Sequence, residues 1–472
     1  MTGWGSFVGD RIGRVYMLVE KLEPAGGVAE QVTLLASELQ RRDVDVWVFA
    51  RRILGRDNQY ALRLRGAGIH LQTCPDRLYA LDPRPTWRAR SALVRGLSWL
   101  TYPLLAPAAL VDAKRRQRSL AASWAGAVGR VRGRLASRIL RDRLNDAFLS
   151  LLDRHAADSP PDVVDVSGVD CLQGVAWAHR RGFPVLYRQT SLPNPEEPLT
   201  AEQVANLHRA TCLMAVSRAV EYRMRALLRD DRPVWVVPNA VPDPGREGDR
   251  SNGFHGPSAG RALVVCLSRL SDEKGVQYIP NVAARIVREA PGAHFIVAGD
   301  GPLRHSLVQR CAEMRLADSV RFLGDLPHDR ALDLLRLADV MFLPSRREGM
   351  PVAAIEAMAL SRAMVVTSVG GTPELVQDGV SALMVPSDDV DAMTRALLRV
   401  LADAGLRQRL GHQARLAYER GPYRPDAVAD LTLAVYRHTV QATAALATAV
   451  RRPSPATVTL PDGGAPAEGR GA

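Results

Sequence analysis

Ser345-Arg346-Arg347-Glu348-Gly349-Met350-Pro351-Val352-Ala353-Ala354-Ile355-Glu356 is the stretch that decides how the chain is read. An apolar run, Val340-Met341-Phe342-Leu343, leads into it, and a Gly-Met-Pro turn separates its two carboxylates. Proline suits the first position of a helix, where its missing N–H would be unpaired anyway, so a helix is predicted from Pro351. Glu348 then stands on a loop at a strand's carboxyl end. Glu356 stands about a turn and a half inside the next helix. Open α/β sheets bind ligands in that crevice. Eight residues at ~1.5 Å each separate the two carboxylates by roughly 12 Å. A glycosidase pair needs about 5–9.5 Å, so the spacing argues against hydrolysis and for two contacts along one long ligand. The spacing by itself is ordinary in solvated helices; the strand before it and the turn within it single it out.

Outward from this stretch, strands and helices alternate along the chain. The first unit opens with strand Val15–Val19, a turn at Gly26-Gly27 and a helix whose apolar positions Val28, Val32, Leu35, Ala36 and Leu39 recur at helical spacing. Strand Val44–Phe49 closes this βαβ unit, which implies a parallel sheet. Further strands are expected at Val163–Val166, Val185–Tyr187, Cys212–Val216 and Val234–Val237. After a polar, glycine-rich linker at Pro242–Gly260, a second series follows: Leu263–Leu267, His294–Ala298, Val320–Leu323, Val340–Leu343, Met364–Thr367 and Leu383–Val385. A chain of 472 residues is too long for one ordinary core. The expected fold is therefore α/β with two doubly wound, Rossmann-like domains, 1–245 and 258–418. A helix over 419–448 returns to the first domain, and a Pro/Gly/Ala-rich disordered tail occupies 451–472.

The composition, 47% hydrophobic and 24% charged, is that of a soluble globular protein. Five scattered cysteines (Cys74, Cys171, Cys212, Cys266, Cys311) form no C-x-x-C pair, which argues against structural zinc and a disulfide framework and fits a reducing cytoplasm. The first apolar run, Val15 to Val19, is too short for a signal peptide. Charge is concentrated: 81–143 holds fourteen Lys/Arg against three Asp, a net +11 of the chain's +12. Within it, Gly96 to Val111 carries no charge, contains Pro103 and Pro107, and is too short to span a bilayer. Trp99 and Tyr102 favour the headgroup level. Two readings of this insertion, about 84–143, stay open: peripheral contact with an anionic membrane face, or an amphipathic helical insertion packed on the first domain. No recognition motif accompanies the charge, so nucleic acid is not an expected partner.

Phosphate-handling residues gather at the same crevice. Strand Leu263–Leu267 runs into Ser268-Arg269-Leu270-Ser271-Asp272-Glu273-Lys274-Gly275, placing the cations Arg269 and Lys274 at the mouth. Two cations aimed at a departing diphosphate do what Mg²⁺ would otherwise do. The two Asp-x-Asp sequences, Asp43-Val44-Asp45 and Asp389-Val390-Asp391, open a strand and a helix, so no catalytic metal and no cofactor are expected. Gly26-Gly27 opens a helix whose amides can receive phosphate oxygens. Gly370-Gly371 follows strand Met364–Thr367 with free N–H groups, and Gly299-Asp300-Gly301-Pro302 is a strand-to-helix turn with Pro302 starting the helix.

Taken in order, Arg269…Lys274, Gly299-Asp300-Gly301-Pro302, Val320-Arg321-Phe322-Leu323-Gly324, Glu348-x7-Glu356 and Gly370-Gly371-Thr372-Pro373-Glu374 resemble the retaining GT-B glycosyltransferases of family 4, the glycosyl transferases group 1. The match is dense over 261–400. From 12 to 240 it rests on Gly26-Gly27, Ala215-Val216-Ser217 and Val237-Pro238-Asn239. The resemblance implies two domains facing across a cleft, with a nucleotide-sugar donor on the second and a glycan or lipid-linked acceptor on the first. It implies that Arg269 and Lys274 bind the diphosphate and that Glu356 binds the ribose. Glu348, with the backbone of Gly349 and Met350, would hold the donor sugar. Gly26 and Gly27 would approach the diphosphate from the first domain, and Phe322, on Val320–Leu323, lies by the base. Glu348, Arg269 and Lys274 carry the catalytic roles. The departures concern the acceptor side. Where many relatives place a histidine, this chain reads Asp165-Val166-Ser167-Gly168 and Tyr187-Arg188-Gln189-Thr190; His179 is expected in a helix. Ala240 and Ala382 stand where glycine is usual. The expected activity is metal-independent, retaining sugar transfer in glycan, polysaccharide or glycolipid assembly, in the cytoplasm or at the inner face of the cell membrane. A soluble acceptor and a non-catalytic nucleotide-sugar-binding protein are the alternatives.

Overall fold

The computed structural model describes residues 11–23, 27–53, 58–74, 142–194, 198–229, 232–245 and 262–451. Gly26, the basic segment through residue 141, the linker from 246 and the tail from 452 lie outside the described residues.

The first seven strands are Arg14–Leu22 (β1), Asp45–Ile53 (β2), His70–Thr73 (β3), Val163–Ser167 (β4), Val185–Gln189 (β5), Cys212–Ala215 (β6) and Val234–Val236 (β7). They form one parallel sheet in the order β3-β2-β1-β4-β5-β6-β7. The next six are Ala262–Leu267 (β8), Ala293–Ala298 (β9), Val320–Gly324 (β10), Val340–Leu343 (β11), Ala363–Thr367 (β12) and Leu383–Val385 (β13). They form a second parallel sheet, β10-β9-β8-β11-β12-β13. Every residue of β4, β5, β6, β11 and β12 is buried. That is the consequence of covering both faces of a parallel sheet with helices. Strand order reverses between β1 and β4 and again between β8 and β11, so each sheet opens a ligand crevice there.

The two sheets are joined by apolar packing. One buried cluster runs from Val216 and Val220 beside β6 to Met350, Ile355 and Leu375 beyond β11 and β12. The returning segment adds a second tie. Helix Ala404–Arg420 ends at Gly421, and helix Pro425–Arg451 begins four residues later, so the crossing is made at 421–424 and the last helix runs past the expected 448. At the crossing, Arg415 grips Asp243 with two nitrogens, at 2.8 and 2.7 Å. Val241 N donates to Tyr423 O (2.8 Å), and Tyr418 Oη donates to Val241 O (2.9 Å). Farther along, Tyr436 Oη donates to Asp165 Oδ2 (2.7 Å), which also receives Arg188 Nη2 (2.6 Å), all within the first sheet's core.

Two expected helix starts shift. Pro351 caps its helix from an extended conformation (φ −71°, ψ 111°), and the helix begins at Val352. Pro302 lies in the turn ahead of a helix that begins at Arg304. In both places proline ends the irregular segment, and the residues after it supply the first helical turn.

Candidate active site

Three loops at the carboxyl ends of β8, β11 and β12 build the site, and backbone contacts fix them to one another. The amides of Arg346 and Arg347 both donate to Glu273 O, at 2.9 and 3.1 Å, joining the β11 loop to the β8 loop. Gly275 sits at φ 64° where an added Cβ would lie 1.8 Å from the carbonyl oxygen of Pro344. Only glycine allows that approach, and the approach brings Lys274 onto the β11 loop. Lys274 Nζ donates to both oxygens of Glu348, at 2.8 and 2.9 Å, and Ser345 Oγ donates to Oε1 at 2.7 Å. Thr367 Oγ1 holds the Ser345 carbonyl at 2.5 Å, fixing Ser345 in turn. Glu348 is buried, and its charge is matched by a lysine that stays partly in solvent.

Arg269 and Glu356 differ from this satisfied pair. Arg269 leaves the end of β8 exposed; its carbonyl accepts Ser271 N at 3.0 Å, and its guanidinium makes no hydrogen bond or ion pair among the described residues. Glu356, the fifth residue of helix Val352–Ala359, is only 6% exposed, yet its carboxylate accepts no hydrogen bond among the described residues. Among the described residues, the basic side chain within reach of it is His328, with Nδ1 3.6 Å from Oε1. Burial pushes the Glu356 carboxyl above the usual range; His328 opposes that shift, and Glu30 of the first domain adds to it. A buried carboxylate without donors is costly unless a ligand supplies them.

The remaining expected residues fall as follows. Gly27 opens helix Gly27–Gln40 with open space where a side chain would be, leaving its N-terminal amides approachable. Gly349 lies against the first domain: a Cβ there would come 2.6 Å from Thr190 O. Met350 is buried, and its carbonyl accepts Asn239 Nδ2 at 2.8 Å. Phe322, on edge strand β10, is half-buried against the second sheet's core. His179 is exposed on helix Leu172–Arg181. At the end of β5, where the resemblance leads one to look for a histidine, Gln189 is buried; its Oε1 accepts Tyr187 Oη at 2.5 Å and its Nε2 donates to Ser191 O at 2.8 Å.

Two residues carry weight that the sequence reading did not give them. Glu374 reaches from the β12 loop to accept the amides of Arg218 and Ala219, both at 2.9 Å, so it caps a helix of the opposite domain. Asn239 makes the second clasp, through Met350. Both stand inside quoted motifs, Gly-Gly-Thr-Pro-Glu and Val-Pro-Asn, and that was their only signal. Among the described residues, no group of three or more His, Cys, Asp or Glu is placed to hold a metal ion. All five cysteines are buried, and none is in a disulfide.

Comparison with known proteins agrees with the motif reading. Residues 249–417 match the family model described as "Glycosyl transferases group 1". The 2-deoxystreptamine N-acetyl-D-glucosaminyltransferase of Streptomyces fradiae is 34% identical over 194 residues, 40% of this chain and 46% of that one. The phosphatidylinositol N-acetylglucosaminyltransferase gpi3 subunit of Schizosaccharomyces pombe is 31% identical over 166 residues, 35% of each chain. The chain thus spans less than half the length of these curated relatives. The crystal structure of Anabaena Alr3699/HepE in complex with UDP and glucose superposes with a TM-score of 0.60 at 15% identity, covering 92% of this chain and 100% of that one. Two all-parallel α/β domains in this arrangement are the GT-B architecture.

Proposed function

We propose, from a second domain that matches the glycosyl transferases group 1, that this chain is a glycosyltransferase. In this reading a sugar moves, with retention and without a metal, from a nucleotide-sugar donor in the cleft to an acceptor on the first domain. The observation that carries the reading is Glu356, a carboxylate only 6% exposed that accepts no hydrogen bond among the described residues, on the helix after β11, with Arg269 exposed at the end of the adjacent strand β8. A nucleotide's ribose offers Glu356 two hydroxyl donors, and its diphosphate offers Arg269 an anion.

The chemistry follows from how the groups are already engaged. Glu348 is held by Lys274 and Ser345, so it serves as a fixed acceptor for donor-sugar hydroxyls rather than as a nucleophile. Lys274 has three N–H donors and spends two on Glu348. The third, with Arg269, meets the charge that develops on the phosphate oxygen as its bond to the sugar carbon breaks. That oxygen takes the proton of the acceptor hydroxyl, whose oxygen forms the new bond on the same face. Gln189 has no basic nitrogen and takes no part in proton removal.

A thermal-shift panel of UDP, GDP, ADP and their sugar conjugates, first without metal and then with Mg²⁺, tests this. One nucleotide at about a hundred times its Kd should add about 2.7 kcal/mol of stability by mass action without metal. That gain should vanish in Arg269→Ala and shrink in Glu356→Gln. A flat panel would sink the donor-site reading. Gln189 in place of a histidine favours the second reading, a non-catalytic nucleotide-sugar-binding protein; sugar release from the stabilising conjugate on adding acceptor separates the two.

For the acceptor, the net +11 over 81–143 around an uncharged run with Trp99 and Tyr102 supports a membrane-held molecule at an anionic face. Among the described residues, no helix is long and apolar enough to cross a membrane. The full chain should co-sediment with vesicles containing phosphatidylglycerol, release as salt rises, and lose binding when 84–143 is deleted. Undiminished binding by the deletion would rule out the insertion as the anchor.

A further inference from the structure

Helix Arg218–Leu228, which follows β6, starts with amides that its own backbone cannot satisfy. The first domain supplies a partner for one of them: Ser217 Oγ accepts Val220 N at 3.2 Å. The two amides before it, of Arg218 and Ala219, donate to separate oxygens of Glu374, each at 2.9 Å, from the second domain. Glu374 stands on the loop after β12, and that loop rests on the one that carries Glu348. Gly371 N donates to Glu348 O at 3.4 Å. A Cβ on Gly371 would come 2.2 Å from Gly349 O and 2.8 Å from Ser217 Cβ, so its backbone lies between the Glu348 loop and the first domain. Among the described residues, one other side-chain hydrogen bond ties the first domain to these loops, from Asn239 to Met350 O. It differs in kind. Asn239 is buried, and Gln31 clamps the backbone of the next residue, Ala240, at 2.6 and 2.7 Å. The crossing at Val241 and Tyr423 follows at once, so Asn239 stands at the pivot between the domains. Glu374 is exposed.

We propose that Glu374 is a positioning residue: its carboxylate, seated on two amides of the opposite domain, holds the cleft closed and fixes the Glu348 loop against the first domain. What the closed cleft brings together, donor sugar and acceptor, rests on the donor-site reading. A carboxylate suits the seat on two counts. It offers one acceptor oxygen to each of two converging N–H groups, and it places negative charge at the positive end of a helix. Glutamine suits it poorly, because its NH2 group would face one of those N–H groups donor to donor. Exposure makes the tie reversible: water competes for both partners, so opening costs little and ligands can enter and leave. The buried Asn239 bond stays made at the pivot while the Glu374 bond forms and breaks.

The test reads a distance between the domains in the full chain. Tyr222→Cys and Val308→Cys place one spin label on each domain, at side chains 73% and 46% exposed; the five native cysteines are buried. Electron–electron resonance should give one narrow distance distribution with Glu374 in place. Glu374→Ala should add longer distances, the closed share falling about tenfold against the open. Acetate, the group that substitution removes, should restore the narrow distribution, and chloride at the same ionic strength should not. Glu374→Gln should open as far and ignore acetate, since its side chain still fills the seat. A Glu374→Ala variant with the unmutated distribution overturns the proposal. So does a broadening that acetate leaves unchanged, or a closed Glu374→Gln, either of which would make Glu374 a residue of loop shape alone. The distances need no nucleotide, so each of these failures leaves the donor site standing. Conversely, failure of UDP, GDP and ADP to bind would remove the donor-site reading and leave the closure result intact.

Discussion

A Lys274→Met variant is expected to lose stability and donor binding together, and the double variant Lys274→Met/Glu348→Gln to recover only the stability. The side chain of Glu348 is 4% exposed and that of Lys274 27%. Removing the ammonium leaves a buried carboxylate with Ser345 Oγ as its one remaining side-chain donor. Breaking a buried pair costs about 3–5 kcal/mol, and the partial exposure of Lys274 lowers this to about 2–3 kcal/mol. For a domain of this size the melting temperature should drop by about 5–10 °C. Replacing Glu348 by Gln removes the stranded charge while keeping the Ser345 hydrogen bond, so stability returns. Binding does not, because the diphosphate has lost a cation, and affinity should stay down by about a hundredfold. Scanning calorimetry and isothermal titration read the two effects separately. A single variant that melts and binds like the wild type would remove the pair from both roles.

Gly370→Ala should be more damaging still, and Gly379→Ala supplies its control. Both glycines have positive φ, 53° and 69°. A Cβ on Gly370 would lie 1.8 Å from the carbonyl oxygen of Glu348, whereas nothing lies within 4 Å of one on Gly379. The strain of an alanine at positive φ, about 1 kcal/mol, is common to both. Only Gly370 adds a collision between backbones, which must push the β12 loop off the loop that carries Glu348. Urea midpoints should therefore show a loss above about 3 kcal/mol for Gly370→Ala and near 1 kcal/mol for Gly379→Ala. Equal losses would mean that the loops part without cost and that their contact does not set the position of Glu348.

The two sheets were legible because nearly all their strands are short, mainly apolar runs with a buried centre. Every strand expected from such a run is present. The exception was β3, whose His70-Leu71-Gln72-Thr73 lies on a sheet edge, half-wetted and without an apolar run. The site was legible in part: Lys274 and Glu348 meet across the loops after β8 and β11, while Arg269 stands at the end of β8 and Glu356 on the helix after β11. Their partnerships were not legible. That Lys274 binds Glu348 depends on Gly275 pressing against Pro344. That Glu356 meets His328 depends on two helices of the second domain coming together, and no spacing within one strand-turn-helix unit encodes that.

The bond between Tyr436 and Asp165 has a consequence for how the protein is made. A ribosome finishes the strands holding Asp165 and Arg188 long before it reaches Tyr436. At roughly 5–20 residues per second the delay is on the order of tens of seconds. Through that interval the nascent first domain keeps a polar pair beneath an uncovered surface, and the entire second domain has time to fold in between. The last helix then closes a domain begun at the other end of the message. A chain released before Pro425 would carry a finished second domain on an unfinished first one.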